Sequence, residues 1–275
     1  MGFARKRRQR QARPTMLTTV YGVLVVLVAV LVAVSGLILV ERFVSASLRQ
    51  EHNDVAGFIY AVVGIVYAVL LALVVIAAWE EHEAAKDTAQ SEANELAEIF
   101  WLADRLPEPE GGQLQELARS YARVVVDEEW PLVERGGRAS PRAWDLLDEM
   151  RLAVQNLDVS TQADQVLYAQ GLERVHDLAD ARRARLVEDD EGIPAILWVV
   201  LVAGGVVTVG FTYLFGMENT WAHRLMVAAL AGIIALVLFT IGVLEYPFSG
   251  GARIGPEAFD LVLERIETSK PSDLP

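Results

Sequence analysis

The sequence predicts an all-α membrane protein: four transmembrane helices, with a cytoplasmic helical bundle inserted between the second and third spans. Three observations predict it. Residues 17–40, 55–79, 193–217 and 225–244 form four blocks without a single charged side chain, and about 20 apolar residues suffice to cross the hydrocarbon core of a bilayer. Between the second and third blocks lies a long polar stretch in which apolar residues return at helical spacing. No comparable stretch alternates with the period of a strand.

Composition bounds the function. Apolar residues make up 53% of the 275, yet they are concentrated in the four blocks, so the chain is polytopic rather than a pair of soluble domains. There is no cysteine, which excludes disulfides and thiolate metal sites. The first block is too long for a signal-peptide core and is read as a retained anchor, with the nearest cleavage-like site at Ser45-Ala46-Ser47. Arg5, Lys6, Arg7, Arg8, Arg10 and Arg13 crowd the segment before it, whereas the following loop holds only Arg42 and Arg49. Basic residues stay on the cytoplasmic side. The expected organisation is therefore a basic cytoplasmic tail (1–16), transmembrane helices 1 and 2 (17–79), an acidic cytoplasmic helical domain (80–192), transmembrane helices 3 and 4 (193–244) and a cytoplasmic C-terminal segment (245–275), in a bacterial inner membrane. The tail is read first as a topology signal and second as a contact for anionic headgroups.

The first span is Val-rich, with Ala29, Ala33 and Gly36 as a packing stripe. In the second, Gly57, Tyr60, Ala61, Gly64, Tyr67 and Ala68 share one helix face. Small residues let backbones approach closely in lipid, and tyrosine hydroxyls need a partner or water at that depth. Two readings stay open: a face lining a central pore, or a helix-packing face within one subunit. At the outer mouth, Asn53 and Asp54 either cap the helix or meet ions, with capping the simpler expectation.

The second span runs on as an amphipathic rod along Ala85, Ala89, Ala93, Leu96 and Phe100 until Pro107 and Pro109 intervene. A helix with Leu114, Ala118, Tyr121 and Val125 on one face follows, and Trp130-Pro131 is expected to end it. Ser140-Pro141 reads as an N-cap with proline in the first turn. The next helix faces inward through Trp144, Leu147, Met150 and Val154, and Ser160 or Thr161 caps another with Tyr168, Leu172, Val175, Ala179 and Leu186 inward. Arg182, Arg183 and Arg185 are expected to pair with acidic neighbours or headgroups.

Pro194 opens the third span, whose Gly204, Gly205, Thr208, Gly210 and Thr212 suit close packing or a water-lined cavity. A turn over 216–223 leads to the fourth span, a Gly-rich exit and an amphipathic helix over 256–266.

The sequence contains no phosphate-binding glycine loop, dinucleotide fingerprint, zinc-protease or serine-hydrolase motif, so a non-enzyme without a cofactor is expected. His52, His82, His176 and His223 follow no metal-ligand spacing. Glu188, Asp189, Asp190 and Glu191 are a weak Ca²⁺ candidate without the alternation of an EF-hand loop, and a solvated turn favoured by the helix dipole is the preferred reading. Residues 80–192 carry 27 Asp+Glu against 12 Lys+Arg, a net charge of −15. Nucleic acid is excluded as a partner, since phosphate contacts need a basic surplus.

Several local patterns resemble the bacterial bestrophin-like domain family. They are the run from Gly57 to Tyr67 with Trp79-Glu80, Glu92-Ala93, Leu106-Pro107, Tyr121, Glu129-Trp130-Pro131, Arg182-Arg183 with Arg185-Leu186, Pro194 with Trp198, Gly216 with Glu218-Asn219, and Pro247-Phe248-Ser249-Gly250. The family is remotely similar to bestrophins, pentameric anion channels whose second membrane helix lines the pore. The resemblance implies a homo-oligomeric ion channel that takes inorganic ions and sits in the lipid bilayer. The second span lacks a bulky aromatic neck, and an acidic vestibule favours cations. The alternative function is a non-conducting scaffold whose acidic bundle docks a partner protein.

Overall fold

The computed structural model describes residues 12–45, 49–50, 53–188 and 192–268, with the side chains of 12–16 and 188 left undescribed. Every element of it is helical: α1 (Ala12–Phe43), α2 (Asn53–Ala103), α3 (Glu110–Val124), α4 (Trp130–Val133), α5 (Pro141–Gln155), α6 (Gln162–Glu188), α7 (Ala195–Thr212), α8 (Thr220–Leu244) and α9 (Glu257–Thr268). Of these α1, α2, α7 and α8 are long and apolar enough to cross a membrane. The chain divides into two compact units, residues 1–80 with 192–245 and residues 81–191 with 246–275.

In the first unit α1 packs along α8, and α8 along α7. Its interior is slight. Ala33, Leu37, Val227 and Ala231 form one cluster, and Val74, Ala78, Leu201, Ile241 and Leu244 another. Valines, leucines and isoleucines cover the outside, Leu31, Val62, Ile65 and Val206 among them, as suits helices whose solvent is lipid tails.

The third span ends earlier than its apolar composition suggests. Helix α7 stops at Thr212 although the uncharged block continues to Met217. The residues beyond it turn, and polar side chains hold their backbone. Arg49 donates to the carbonyls of Tyr213 and Phe215, each at 3.2 Å. Helix α8 then begins within the stretch expected to be loop. Asn219 caps it by accepting from the Ala222 N–H at 3.1 Å, so Thr220–Arg224 are its first turn.

The second unit has a true core. Ala85, Ala89, Ala93, Leu96 and Phe100 of α2 meet Leu114, Ala118 and Tyr121 of α3, Leu147, Met150 and Val154 of α5, and Val175 and Ala179 of α6. Phe248 and α9 residues Phe259, Leu263 and Ile266 complete it, so the chain after the last span belongs to this core.

Both caps read from the sequence are present. Ser140 Oγ accepts from Arg142 N at 3.3 Å with Pro141 in the first turn. Thr161 Oγ1 accepts from Asp164 N at 3.1 Å while Asp164 Oδ2 accepts from Thr161 N at 2.7 Å, a reciprocal box.

Trp130-Pro131 does not terminate its helix. The chain continues through a π-helical turn, Val125–Glu129, into α4, with Trp130 N donating to Val125 O five residues back. Pro131 cannot donate, and its ring clashes with the carbonyl four residues earlier. Widening the preceding turn accommodates both effects.

Candidate functional site

The face of α2 singled out by its small residues and tyrosines divides into two strips. Gly57, Tyr60 and Tyr67 turn toward α7. Tyr67 is buried, and its hydroxyl donates to the carbonyl of Leu201 at 2.9 Å. Its ring rests directly on a glycine pair: a Cβ on Gly204 would lie 2.6 Å from two ring carbons, and one on Gly205 2.9 Å from the hydroxyl. No side chain larger than hydrogen fits at Gly204 while that ring stays in place. Tyr60 stacks on Phe211, with ring centroids 6.0 Å apart, and meets Phe215 edge-on at 5.6 Å. Gly57 approaches Phe215.

The second strip looks away from this contact. Ala61 and Ala68 are exposed, and nothing lies within 4 Å of the place a Cβ would occupy on Gly64. Thr208 and Thr212 of α7 bond back to carbonyls of their own helix, Gly204 and Val209.

At the start of α2, Asn53 grips the turn after α7. Its Nδ2 donates to Gly216 O at 2.9 Å, and its Oδ1 accepts from Gly216 N at 3.1 Å. Asp54 is exposed. The same end of this unit is held by Tyr213, whose hydroxyl donates to Ala33 O at 2.7 Å over the bare Gly36, and by a two-point bond from Arg224 to Glu41 at 3.1 and 2.6 Å. His223 is buried, with Nε2 3.0 Å from Thr212 O.

The second unit encloses a group of charged residues, in which the expected pairing of Arg182 and Arg185 with acidic neighbours is made inside the core. Arg182 and Arg185 of α6 are fully buried with Glu92 of α2, Tyr121 of α3 and Glu129 of the π-helical turn. Arg182 forks onto Glu129 (2.6 and 3.2 Å), and also reaches Glu92 Oε1 at 3.4 Å and the carbonyl of Ser140 at 3.4 Å. Arg185 bonds Glu92 through Nε at 2.5 Å and Glu129 through Nη2 at 2.5 Å. Tyr121 donates to Glu92 at 2.6 Å. Aromatic faces close the group: Trp144 lies 4.9 Å from the Arg182 guanidinium and Trp130 lies 5.0 Å from that of Arg185. Only Arg183 of the three arginines is exposed, and it pairs with Asp180.

Electrostatics follows from this geometry. Burial alone would raise the carboxyl pKa of Glu129, but hydrogen bonds and charge from Arg182 and Arg185 hold it below its ordinary value. Burial, then the Glu92 carboxylate, push the Tyr121 hydroxyl well above the usual tyrosine range. Burial works against the charge on Arg185, yet the two carboxylates keep it above the ordinary arginine value. Two cations face two anions, and the site is net neutral. A signal existed in the sequence: Arg182 and Arg185 continue the inward spacing of Val175, Leu178 and Ala179, and Glu92 lies beside Ala89 and Ala93.

Among the described residues no group of His, Asp and Glu could hold a metal ion. The weak Ca²⁺ candidate lies outside them: Asp189, Asp190 and Glu191 are not described, nor is the side chain of Glu188.

No curated protein matches the chain. Two solved structures do, each at 14% identity. One is a membrane protein crystallised as a point variant, with a TM-score of 0.63 and coverage of 88% of this chain and 96% of that one. The other is a point-mutated bacterial bestrophin homologue from Klebsiella pneumoniae, with a TM-score of 0.61 and coverage of 88% and 97%. The sequence patterns that pointed this way are the residues the fold gathers. Glu92, Tyr121, Glu129, Trp130, Arg182 and Arg185 meet in one buried group, and Phe248 lies edge-on to Trp130 at 5.8 Å. The model of the bestrophin-like domain matches residues 27–259, and this multi-pass membrane protein belongs to the bestrophin-like domain family.

Proposed function

We propose that this chain is the subunit of a homo-oligomeric ion channel of the bacterial inner membrane, lined by its second span, with both termini and the acidic helical unit cytoplasmic. One observation carries the reading. The Gly57, Tyr60 and Tyr67 strip of α2 is used up in holding α7, while Ala61 and Ala68 beside it are exposed and open space surrounds the place of a Cβ on Gly64. In an oligomer this free strip of small residues faces the axis, and its smallness leaves room for a hydrated ion. Asp54, exposed at the start of α2, stands at the outer mouth. The six basic residues ahead of the first uncharged block set the orientation. A net charge of −15 on residues 80–192 favours cations over anions at the inner entrance. Inorganic ions are the substrate, and the pentameric state of bestrophins is the expected assembly.

The test is current through purified protein in a planar bilayer under a KCl gradient. Single-channel steps are expected, with a reversal potential of cationic sign. Because open space surrounds Gly64, Gly64→Leu is expected to fold normally and to reduce conductance. Unaltered single-channel current in that variant removes the strip from the pore.

The acidic unit supports a second reading, a non-conducting scaffold that docks a basic partner protein. Silent bilayers together with a stoichiometric co-purifying partner are its signature.

A further inference from the structure

Arg49 stands just ahead of α2 in the first unit and is only 8% exposed. Its Nη1 is occupied, donating to the carbonyls of Tyr213 and Phe215 beyond the end of α7. Basic side chains commonly cap a helix C-terminus in this way, but carbonyl dipoles offer only partial charge. The Nε–H of Arg49 is shut away from solvent and has no acceptor. Among the described residues no carboxylate pairs with it. The other buried guanidiniums differ: Arg182 and Arg185 each meet Glu92 and Glu129, and half-buried Arg224 is matched by Glu41. Nε of Arg182 also lacks a partner, yet the charge of that side chain is answered. Arg49 alone among these combines burial, an unbonded N–H and an uncompensated charge, a combination that is strongly unfavourable in a dry environment.

The chemistry of the unbonded edge is specific. Nε and the neighbouring Nη2 present two parallel N–H groups, the fork that matches two oxygens of one oxyanion. Position narrows the choice of oxyanion. Arg49 lies at the end of the first unit where α1 and α7 have finished and α2 and α8 begin, and all four are long and apolar enough to span. Leu214, between the two carbonyls that hold Arg49, and Trp221, in the first turn of α8, are exposed. Tryptophan at the end of a span marks the depth of the headgroups. Helix α8 starts five residues after Phe215 and turns the positive end of its dipole to the same region. We propose that Arg49 is the seat of a phosphate-type oxyanion, supplied by a phospholipid headgroup or by free phosphate. Asn53 supports the seat by gripping the Gly216 backbone at 2.9 and 3.1 Å, which fixes the turn whose carbonyls orient the guanidinium. The seat does not depend on whether the chain conducts.

The experiment is native mass spectrometry of the full-length protein in detergent, titrated separately with phosphatidylglycerol, with diacylglycerol of identical chains, and with inorganic phosphate. If a headgroup supplies the oxyanion, the wild type is expected to hold phosphatidylglycerol at least about tenfold more tightly than diacylglycerol, because bonds to a charged group are the strong ones. If free phosphate supplies it, inorganic phosphate binds and the two lipids are held alike. In either case Arg49→Gln is expected to abolish the binding while leaving diacylglycerol unaffected. Arg49→Lys keeps the charge and can still donate to the Tyr213 and Phe215 carbonyls, but it lacks the fork. It is expected to fold and to bind about tenfold more weakly, so a folding defect in Arg49→Gln does not decide the matter. A wild type that neither prefers phosphatidylglycerol nor binds inorganic phosphate overturns the proposal. So does binding by both variants at the strength of the wild type, which would make Arg49 a helix cap and nothing more.

Discussion

The two units of the chain solve cohesion by opposite means. In the first unit little is buried, and contacts form where side chains are missing: Tyr67 on Gly204-Gly205, Tyr213 over Gly36. Tyr67 and Tyr213 each give a single hydroxyl to a backbone carbonyl there, and Arg49, Asn53 and Arg224 hold one end through side-chain bonds. In the second unit an apolar core surrounds two arginines and two glutamates that hold each other. The difference follows from the solvent. Lipid gives no hydrophobic drive between helices, so fit and backbone bonds must suffice. Water supplies that drive, and a core large enough to exclude it can enclose charges, provided that every one is paired.

The widest separation between the two regimes is expected from unpairing a charge. Arg182→Met leaves Glu129 without its forked partner and Glu92 with one guanidinium fewer. A loss of about 3–5 kcal/mol is expected, read as an early unfolding transition of the second unit by thermal denaturation in detergent, with the first unit's transition unmoved. A shift below 1 kcal/mol would mean that the group is ornamental to stability and that the contrast is false.

On the membrane side the matching disruption is steric. Gly204→Val drives a Cβ into the Tyr67 ring, and overpacking of this kind costs about 1–3 kcal/mol. Combining it with Tyr67→Ala should recover much of that loss, and failure of this rescue would place the damage elsewhere in α7.

Proton linkage sharpens the contrast further, since only the second unit contains the group. The folded value of Glu129 lies below its unfolded value, near 4.3. Its contribution is therefore complete above that pH and declines as pH falls toward the folded value. The folded value of Tyr121 lies above its unfolded value, near 10. Its contribution is complete below that pH and is lost as pH rises beyond it. Stability of the second unit is thus expected to be level between about pH 5 and 9.5 and to fall on either side. Tyr121→Phe should flatten the alkaline limb alone, measurable as Tm against pH.

The smallest effect belongs to Tyr67→Phe, which keeps the ring and removes one bond to Leu201 O. Interhelical hydrogen bonds in membranes average about 0.6 kcal/mol, so a Tm change of a degree or two is the expected reading. A much larger loss would show that hydrogen bonding, rather than fit, holds α2 to α7.

How much of this was legible beforehand depended on what each signal measures. The four spans stood out because uncharged length is itself the requirement of a bilayer. Ser140 and Thr161 were readable because a cap is a local matter of two or three residues. The end of α7 at Thr212 was not, since Tyr213, Leu214 and Phe215 are as apolar as the helix before them and the turn is fixed by Arg49 and Asn53 from far along the chain. The continuation past Trp130-Pro131 was hidden because proline ordinarily breaks a helix, and only a widened turn admits it. Helical spacing puts Tyr60 and Tyr67 on one side of α2, but which strip meets α7 depends on where Gly204 and Gly205 lie in space. Arg182 and Arg185 were expected to pair with acidic neighbours or headgroups, and they pair with Glu92 and Glu129; that the pairing lies inside the core was not legible, because charge is almost always a surface property. Their burial depends on Glu92, about ninety residues earlier, arriving beside them.

The closed set of charges formed by Glu92, Glu129, Arg182 and Arg185 has a bearing on descent. Any one-step exchange that alters a single sign leaves an opposite charge stranded in a dry interior, whereas a joint replacement by apolar residues of similar volume can be neutral. The four positions are thus a valley in sequence space. Lineages that carry the group are held to it, and those that leave it must change several codons before the fold is whole again.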